Sequence, residues 1–174
     1  RWVASLALLV SAGALGFVAF ADLHEPGLGV PAVLAVLGLA LSIGLTASSI
    51  AVMGAVEASK GGAAGALEAT AYELGTGLGI TFFGVFMSSV YGHTIALPGE
   101  LAAPLAERAA RSIGDSYLVA AELSAEQASV LIEAAKAAFS STHSVLLSTS
   151  AVVIGVLALV VFRLFKGYRG QSAH

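Results

Sequence analysis

Residues 61–91 read GGAAGALEATAYELGTGLGITFFGVFMSSVY, and within this stretch Glu68 and Glu73 are the only charged side chains. The same holds between Lys60 and Glu100, and the rest of that interval is apolar or small. Such a run crosses a bilayer as a helix, yet it holds carboxylates. An ionisable group at bilayer depth costs several kcal/mol, roughly 2.5–3.5 on insertion scales, and is seldom kept there unless it carries a proton, an ion or a substrate. The stretch therefore reads as the working helix of a membrane transporter.

Composition agrees. The chain has 174 residues, 57% hydrophobic and 11% charged, with a mean hydropathy of +0.91. Soluble domains average about 25% charged residues, so this chain cannot cover its surface with polar groups and belongs in lipid. Its formal charge of −3 has no basic cluster to suit nucleic acid. It has no Cys, which excludes disulfides and Cys-based metal sites, and no Asn for a glycosylation sequon. Trp2–Ala21 exceeds the apolar core of a signal peptide, about 7–15 residues, and reads as a retained helix. The chain starts at Arg1 rather than Met, an expectation for the tail of a longer polypeptide.

Crossing about 30 Å of hydrocarbon takes about 20 apolar residues. Three spans are expected within residues 1–91, at about 2–21, 30–56 and 63–91, and a fourth at 141–165, followed by a tail at 166–174. All are expected to be α-helices, giving an all-α integral membrane fold, because only helices or closed barrels satisfy the backbone in lipid. No barrel-like alternation is present. Short polar turns at 22–27 and 57–62 join the first three.

Residues 92–140 form a longer link of mixed charge, read as a helical hairpin outside the membrane. Leu101 to Ala110 has helical spacing, with Pro104 placed early, where a first turn tolerates it. Gly114-Asp115 reads as an interruption. Ser124 and Gln127 match a capping box, followed by an apolar stripe of Val130, Leu131, Ala134, Ala135 and Phe139 that leads toward the last span. Arg1, Lys60, Arg163, Lys166 and Arg169 fall on one side if the spans alternate. The positive-inside rule makes that side cytoplasmic, C-terminus included, and the hairpin extracytoplasmic.

In the third span Glu68 and Glu73 lie five residues apart, about 140° around a helix. Glu68 shares a face with Tyr72, Gly75 and Gly79, and Glu73 with Gly77, Ile80 and Gly84. Low dielectric favours the neutral form of a carboxyl, whereas the ionised form attracts a cation. Competition between a proton and a cationic substrate for one carboxylate is the simplest physical basis for antiport. Glu68, nearer the helix start, alternatively complements the helix dipole. Gly61/Gly65 and Gly75/Gly79 have the small-xxx-small spacing of close helix packing. Tyr72, Phe82, Phe83 and Phe86 are candidates to line a cavity and stack on a flat cation, with plain packing or lipid contact as the alternative.

The run from Glu57 through Lys60, Gly61, Gly62, Ala63 and Ala64 to Glu68, then Tyr72, Glu73 and Gly75, resembles the fourteen-helix drug:proton antiporters of the major facilitator superfamily, of the QacA/SmvA type. In that family a Lys-x-Gly-x-Ala-Ala turn leads into the penultimate helix, and a long extracellular hairpin precedes the last. The resemblance implies the last four helices of such a transporter, a C-terminal part of a bacterial inner-membrane pump that exports quaternary ammonium and dye-like cations. It implies that Glu73 couples proton and substrate, and that Glu68 is the first of an adjacent acidic pair. Ala69 stands where that pair has its second acid. Implied partners are lipophilic cations, the bilayer and the N-terminal helices of the same polypeptide. Protons are the coupling ion, with no cofactor and no metal.

His24, His93, His143 and His174 lack the i, i+4 partner of a zinc helix, and Ser88, Ser89 and His93 sit in no nucleophile motif, so no enzyme is expected. Two alternatives stay open. One is a complete four-helix exporter acting as a dimer. The other is a non-transporting scaffold that binds a partner through its external hairpin.

Overall fold

A computed structural model describes residues 2–21 and 27–164. Among these there are helices and no strands. The helices are α1 (Trp2–Phe20), α2 (Gly29–Gly54), α3 (Gly61–Thr94), α4 (Ala103–Ala109), α5 (Ile113–Ala120) and α6 (Ala125–Leu164), with a 3-10 turn at Ala58–Lys60. Helices α1, α2, α3 and α6 are long and apolar enough to cross a membrane. At 1.5 Å per residue α3 is about 51 Å long and α6 about 60 Å, well beyond a hydrocarbon core of about 30 Å. Residues 92–94 thus continue α3, and residues 125–140 are already the start of α6. The expected positions of Arg1, His24, Lys166, Tyr168, Arg169 and His174, and most of the 22–27 turn, lie outside the described residues.

The chain divides into two compact units, Arg1–Leu78 with Leu147–His174, and Gly79–Leu146. In the first, α1 contacts both α2 and the end of α6. On one side α1 meets the end of α6: the Trp2 and Phe162 rings lie edge-on at 5.0 Å, and Gly16 and Gly155 face Ala151 and Ala12. On the other side α1 meets α2, where a Cβ on Gly44 would lie 3.2 Å from that of Ala7. Helix α2 in turn meets α3, where a Cβ on Gly65 would lie 3.2 Å from Met53 Cε. The contacts of α1 with α6 run antiparallel (Trp2 with Phe162, Gly16 with Ala151), and so do those of α2 with α3 (Met53 with Gly65, Ser49 with Glu68). Small residues at the crossings let backbones approach, which is how helices associate when lipid removes the hydrophobic drive between them.

The second unit has a core of a different kind. Tyr91, Ile95, Ala109, Val119, Ala120, Leu131, Ala135 and Ala138 pack together, with Leu131 fully buried. The Tyr91 hydroxyl and Ser116 Oγ lie 2.8 Å apart, and Ser116 donates to the Ala109 carbonyl at 2.7 Å. These bonds tie the end of α3 to α4 and α5. Pro104 stands in the first turn of α4, as its missing N–H allows. Ser124 Oγ accepts from the Gln127 N–H at 3.4 Å and donates to the Gln127 side chain at 3.2 Å, opening α6 where the capping signal lies. Arg108 pairs with Glu122 at 3.0 Å on the surface, where such pairs add little.

Gly114-Asp115 is not an interruption. It is the first turn of α5, and the break precedes it at Ala110–Ser112. Ser112 adopts an extended conformation and its Oγ accepts the Asp115 N–H at 3.1 Å, which starts the helix. A glycine costs about 1 kcal/mol inside a helix. The Ser112 cap and the burial of Ser116, Val119 and Ala120 offset that cost. In the stripe that begins α6, Leu131 and Ala135 are buried, while Val130 points outward at 53% exposure.

Gly92 sits where a Cβ would meet the Ala110 carbonyl oxygen at 3.0 Å, a backbone atom. Gly92→Ala is therefore expected to destabilise this unit by about 1–3 kcal/mol, the usual cost of overpacking. A thermal melt of the full polypeptide in detergent reads it, and an unchanged midpoint would show that the end of α4 yields freely.

Candidate functional site

The α3 helix positions both carboxylates. Because it begins at Gly61, Glu68 lies about 10 Å and Glu73 about 18 Å along its axis. No acid stands in its first turn, so Glu68 is too deep for the helix-dipole alternative, which fades within one turn. Glu68 is half-buried and accepts a hydrogen bond from Ser49 Oγ of α2 at 3.2 Å. Glu73 is exposed in this chain, on the far side of the helix. One acid reaches a neighbouring helix and the other faces outward.

The continuity of α3 decides which residues accompany which acid. At 100° per residue, Phe82 lies about 180° around from Glu73, and Phe86 about 140°. Tyr72, Gly75, Gly79, Phe82, Phe83 and Phe86 all fall on the side of the helix that carries Glu68. Phe82 meets Phe83 edge-on at 5.5 Å and stacks with Phe86 at 6.2 Å. Tyr72 and Phe82 are each about 60% exposed, so in this chain the aromatic side is only partly covered. The Glu73 side is small: a Cβ on Gly77 or Gly84 meets nothing within 4 Å. Of the packing glycines, Gly65 makes its close approach to Met53, and Gly61, Gly75 and Gly79 have open space.

A cavity of about 560 Å³ lies in the first unit, lined by residues such as Val3, Ala7, Ser11, Gly44, Ala51 and Val161. Its walls carry no charge. The hydroxyls of Ser11 and Ser48 are bonded to the carbonyls of Ala7 and Gly44 on their own helices, at 2.9 and 2.8 Å. It suits an apolar occupant and offers nothing to neutralise a cation. Sequence reading missed it, although small residues four apart on α1 (Ala7, Ser11) and α2 (Ala40, Gly44, Ser48) were its signal.

Elsewhere chemistry is sparse. His93 Nδ1 lies 2.8 Å from the Ser89 carbonyl, and Ser88 donates to the Arg111 carbonyl at 3.4 Å. His143 Nδ1 is buried without a hydrogen-bond partner, beside the Phe139 ring at 5.3 Å. No group of three His, Cys, Asp or Glu able to hold a metal occurs among the described residues.

The chain is 36% identical over 170 residues to the methyl viologen resistance protein SmvA of Salmonella typhimurium (strain LT2), a match covering 97% of this chain. It is 35% identical over 149 residues, 84% of this chain, to the multidrug efflux pump LfrA of Mycolicibacterium smegmatis. The chain spans about a third of the length of these relatives, 34% and 29% respectively. Both relatives carry names of resistance or efflux and neither that of an enzyme. No family model matches the chain, and no solved structure does.

Proposed function

We propose that this chain is the C-terminal part of a proton-coupled multidrug efflux antiporter of the major facilitator superfamily, residing in a bacterial inner membrane. The observation that carries the reading is Glu73, an exposed carboxylate deep in an apolar helix. A charge facing lipid there is costly, so the face suits a lining shared with the rest of a larger bundle. The names of the relatives, and the third of their length that the chain spans, support the same reading.

In the intact pump the ionised Glu73 attracts a lipophilic cation from the cytoplasmic side. A proton arriving from outside neutralises the carboxylate and releases the cation outward. Loss of that proton toward the cytoplasm resets the site. Proton and cation never share the carboxylate, and that exclusion couples their fluxes. The substrates proposed are flat or quaternary cations, whose charge the Glu73 carboxylate neutralises; Tyr72, Phe82, Phe83 and Phe86 stand on the Glu68 side of α3, so they do not form one stacking surface for an ion held by Glu73. Both chain ends and the Lys60 turn face the cytoplasm, and residues 92–140 lie outside, by the distribution of basic residues.

Cells expressing the full polypeptide and loaded with ethidium are expected to expel it, and a protonophore is expected to stop them. Expulsion that persists in the protonophore would exclude proton coupling, and absence of expulsion of any lipophilic cation would exclude the transport reading.

A further inference from the structure

Hydroxyls inside apolar helices usually spend their proton on their own backbone. Thr46 donates to the Ser42 carbonyl at 2.9 Å, Ser48 to Gly44 at 2.8 Å and Thr70 to Ala66 at 2.8 Å. Each reaches four residues back, which satisfies a polar group without a partner helix. Ser49, one residue beyond Ser48, departs from this pattern. Its hydroxyl leaves α2 and donates to Oε2 of Glu68 on α3, at 3.2 Å. Both residues are half-buried.

No other polar group of α1 or α2 competes for this carboxylate on charge grounds. Neither helix carries a titratable side chain. On α3 the titratable neighbours of Glu68 are Tyr72, one turn on, and Glu73, on the far side of the helix. Lys60 lies about two turns toward the helix start. Arg163, at the end of α6, is the titratable group of α6 within this unit. One turn away the tip of the Met53 side chain packs over Gly65, so α2 and α3 are in contact beside the Ser49–Glu68 bond.

We propose that Ser49 is a positioning residue for Glu68, holding one carboxylate oxygen from α2 and so fixing where the other is presented, on the side of α3 that carries Tyr72. The two acids then divide the work: Glu73 exchanges proton and cation, and Glu68 is a fixed, oriented carboxylate whose geometry α2 sets. The inference deepens the efflux reading and rests on it for its functional consequence, though not for the contact.

The test uses the full polypeptide in two measurements. In inverted membrane vesicles, proton-driven ethidium transport by Ser49→Ala is expected to fall about tenfold, the scale of a lost hydrogen bond to a charged group, while Ser49→Thr keeps the donor and restores transport. In purified protein with isotope-labelled glutamate, Glu68→Gln identifies the infrared band of the Glu68 carboxyl. Ser49→Ala is expected to shift that band, and Ser49→Thr to leave it near its original position. A band unmoved by Ser49→Ala overturns the inference, as does unchanged transport by that variant. Failure of the wild type to transport ethidium would instead count against the efflux reading, and the infrared comparison would still decide whether Ser49 holds Glu68.

Discussion

Glu73→Gln is expected to reduce proton-driven cation efflux by at least about a hundredfold, in the range lost when a protein gives up its proton-transferring group. That corresponds to about 2.7 kcal/mol or more in the coupled step. The amide keeps the shape of the side chain and its hydrogen-bonding capacity, but it neither binds a proton near neutral pH nor carries a charge for a cation. Expression is expected to stay normal, because removing an ionisable group from a spanning helix lowers the cost of inserting it. Glu73→Asp keeps the charge and is expected to retain part of the activity. Ethidium efflux at matched protein level reads both variants. Full activity in Glu73→Gln would make this residue a structural carboxyl and would remove the central support for antiport. The position of Glu73 in the fold sharpens the expectation: it is exposed, and beside it Gly77 has open space for a ligand or a further helix.

The second large effect concerns stability. Leu131 is fully buried in the unit formed by Gly79–Leu146, among Tyr91, Ile95, Val119 and Ala135. Leu131→Ala is expected to cost about 2–5 kcal/mol, as removal of a buried leucine side chain does when its surroundings relax only in part. The neighbouring Val130 is 53% exposed, and Val130→Ala is expected to stay within about 0.5 kcal/mol. Limited proteolysis across residues 98–124 distinguishes the two, with rapid cleavage expected for Leu131→Ala alone. Equal resistance of both variants would mean that this unit is held by its helix ends and by the Tyr91–Ser116 bond, not by its apolar core. If α3 and α6 cross the membrane as proposed, loss of this core also frees the segment that joins them. A decline of efflux in parallel with proteolysis would show that the unit matters for transport.

The four long apolar helices were legible in the sequence because lipid imposes a simple rule. A helix must supply about 20 apolar residues and satisfy its own backbone, and that leaves a mark in composition that survives without any tertiary contact. The start of α6 was legible for a local reason as well, since Ser124 and Gln127 cap it within four residues of chain. The start of α5 was not. Gly114 looked like a break because its cost is visible in sequence; the Ser112 cap was a local signal that went unread, and the burial of Ser116, Val119 and Ala120 comes from residues distant along the chain.

The same division holds at the candidate site. The five-residue spacing of Glu68 and Glu73 on one continuous helix determined, by angle alone, that they face different ways. Which of them has a partner was decided by the tertiary structure, because Ser49 lies 19 residues away and meets Glu68 only through the antiparallel packing of α2 on α3. The apolar cavity beside α1 and α2 likewise exists only once those helices are side by side. Periodicity and polarity are properties of one segment and can be read from it. Contacts between segments depend on crossing angle and depth, and these are set by how side chains of both helices fit together.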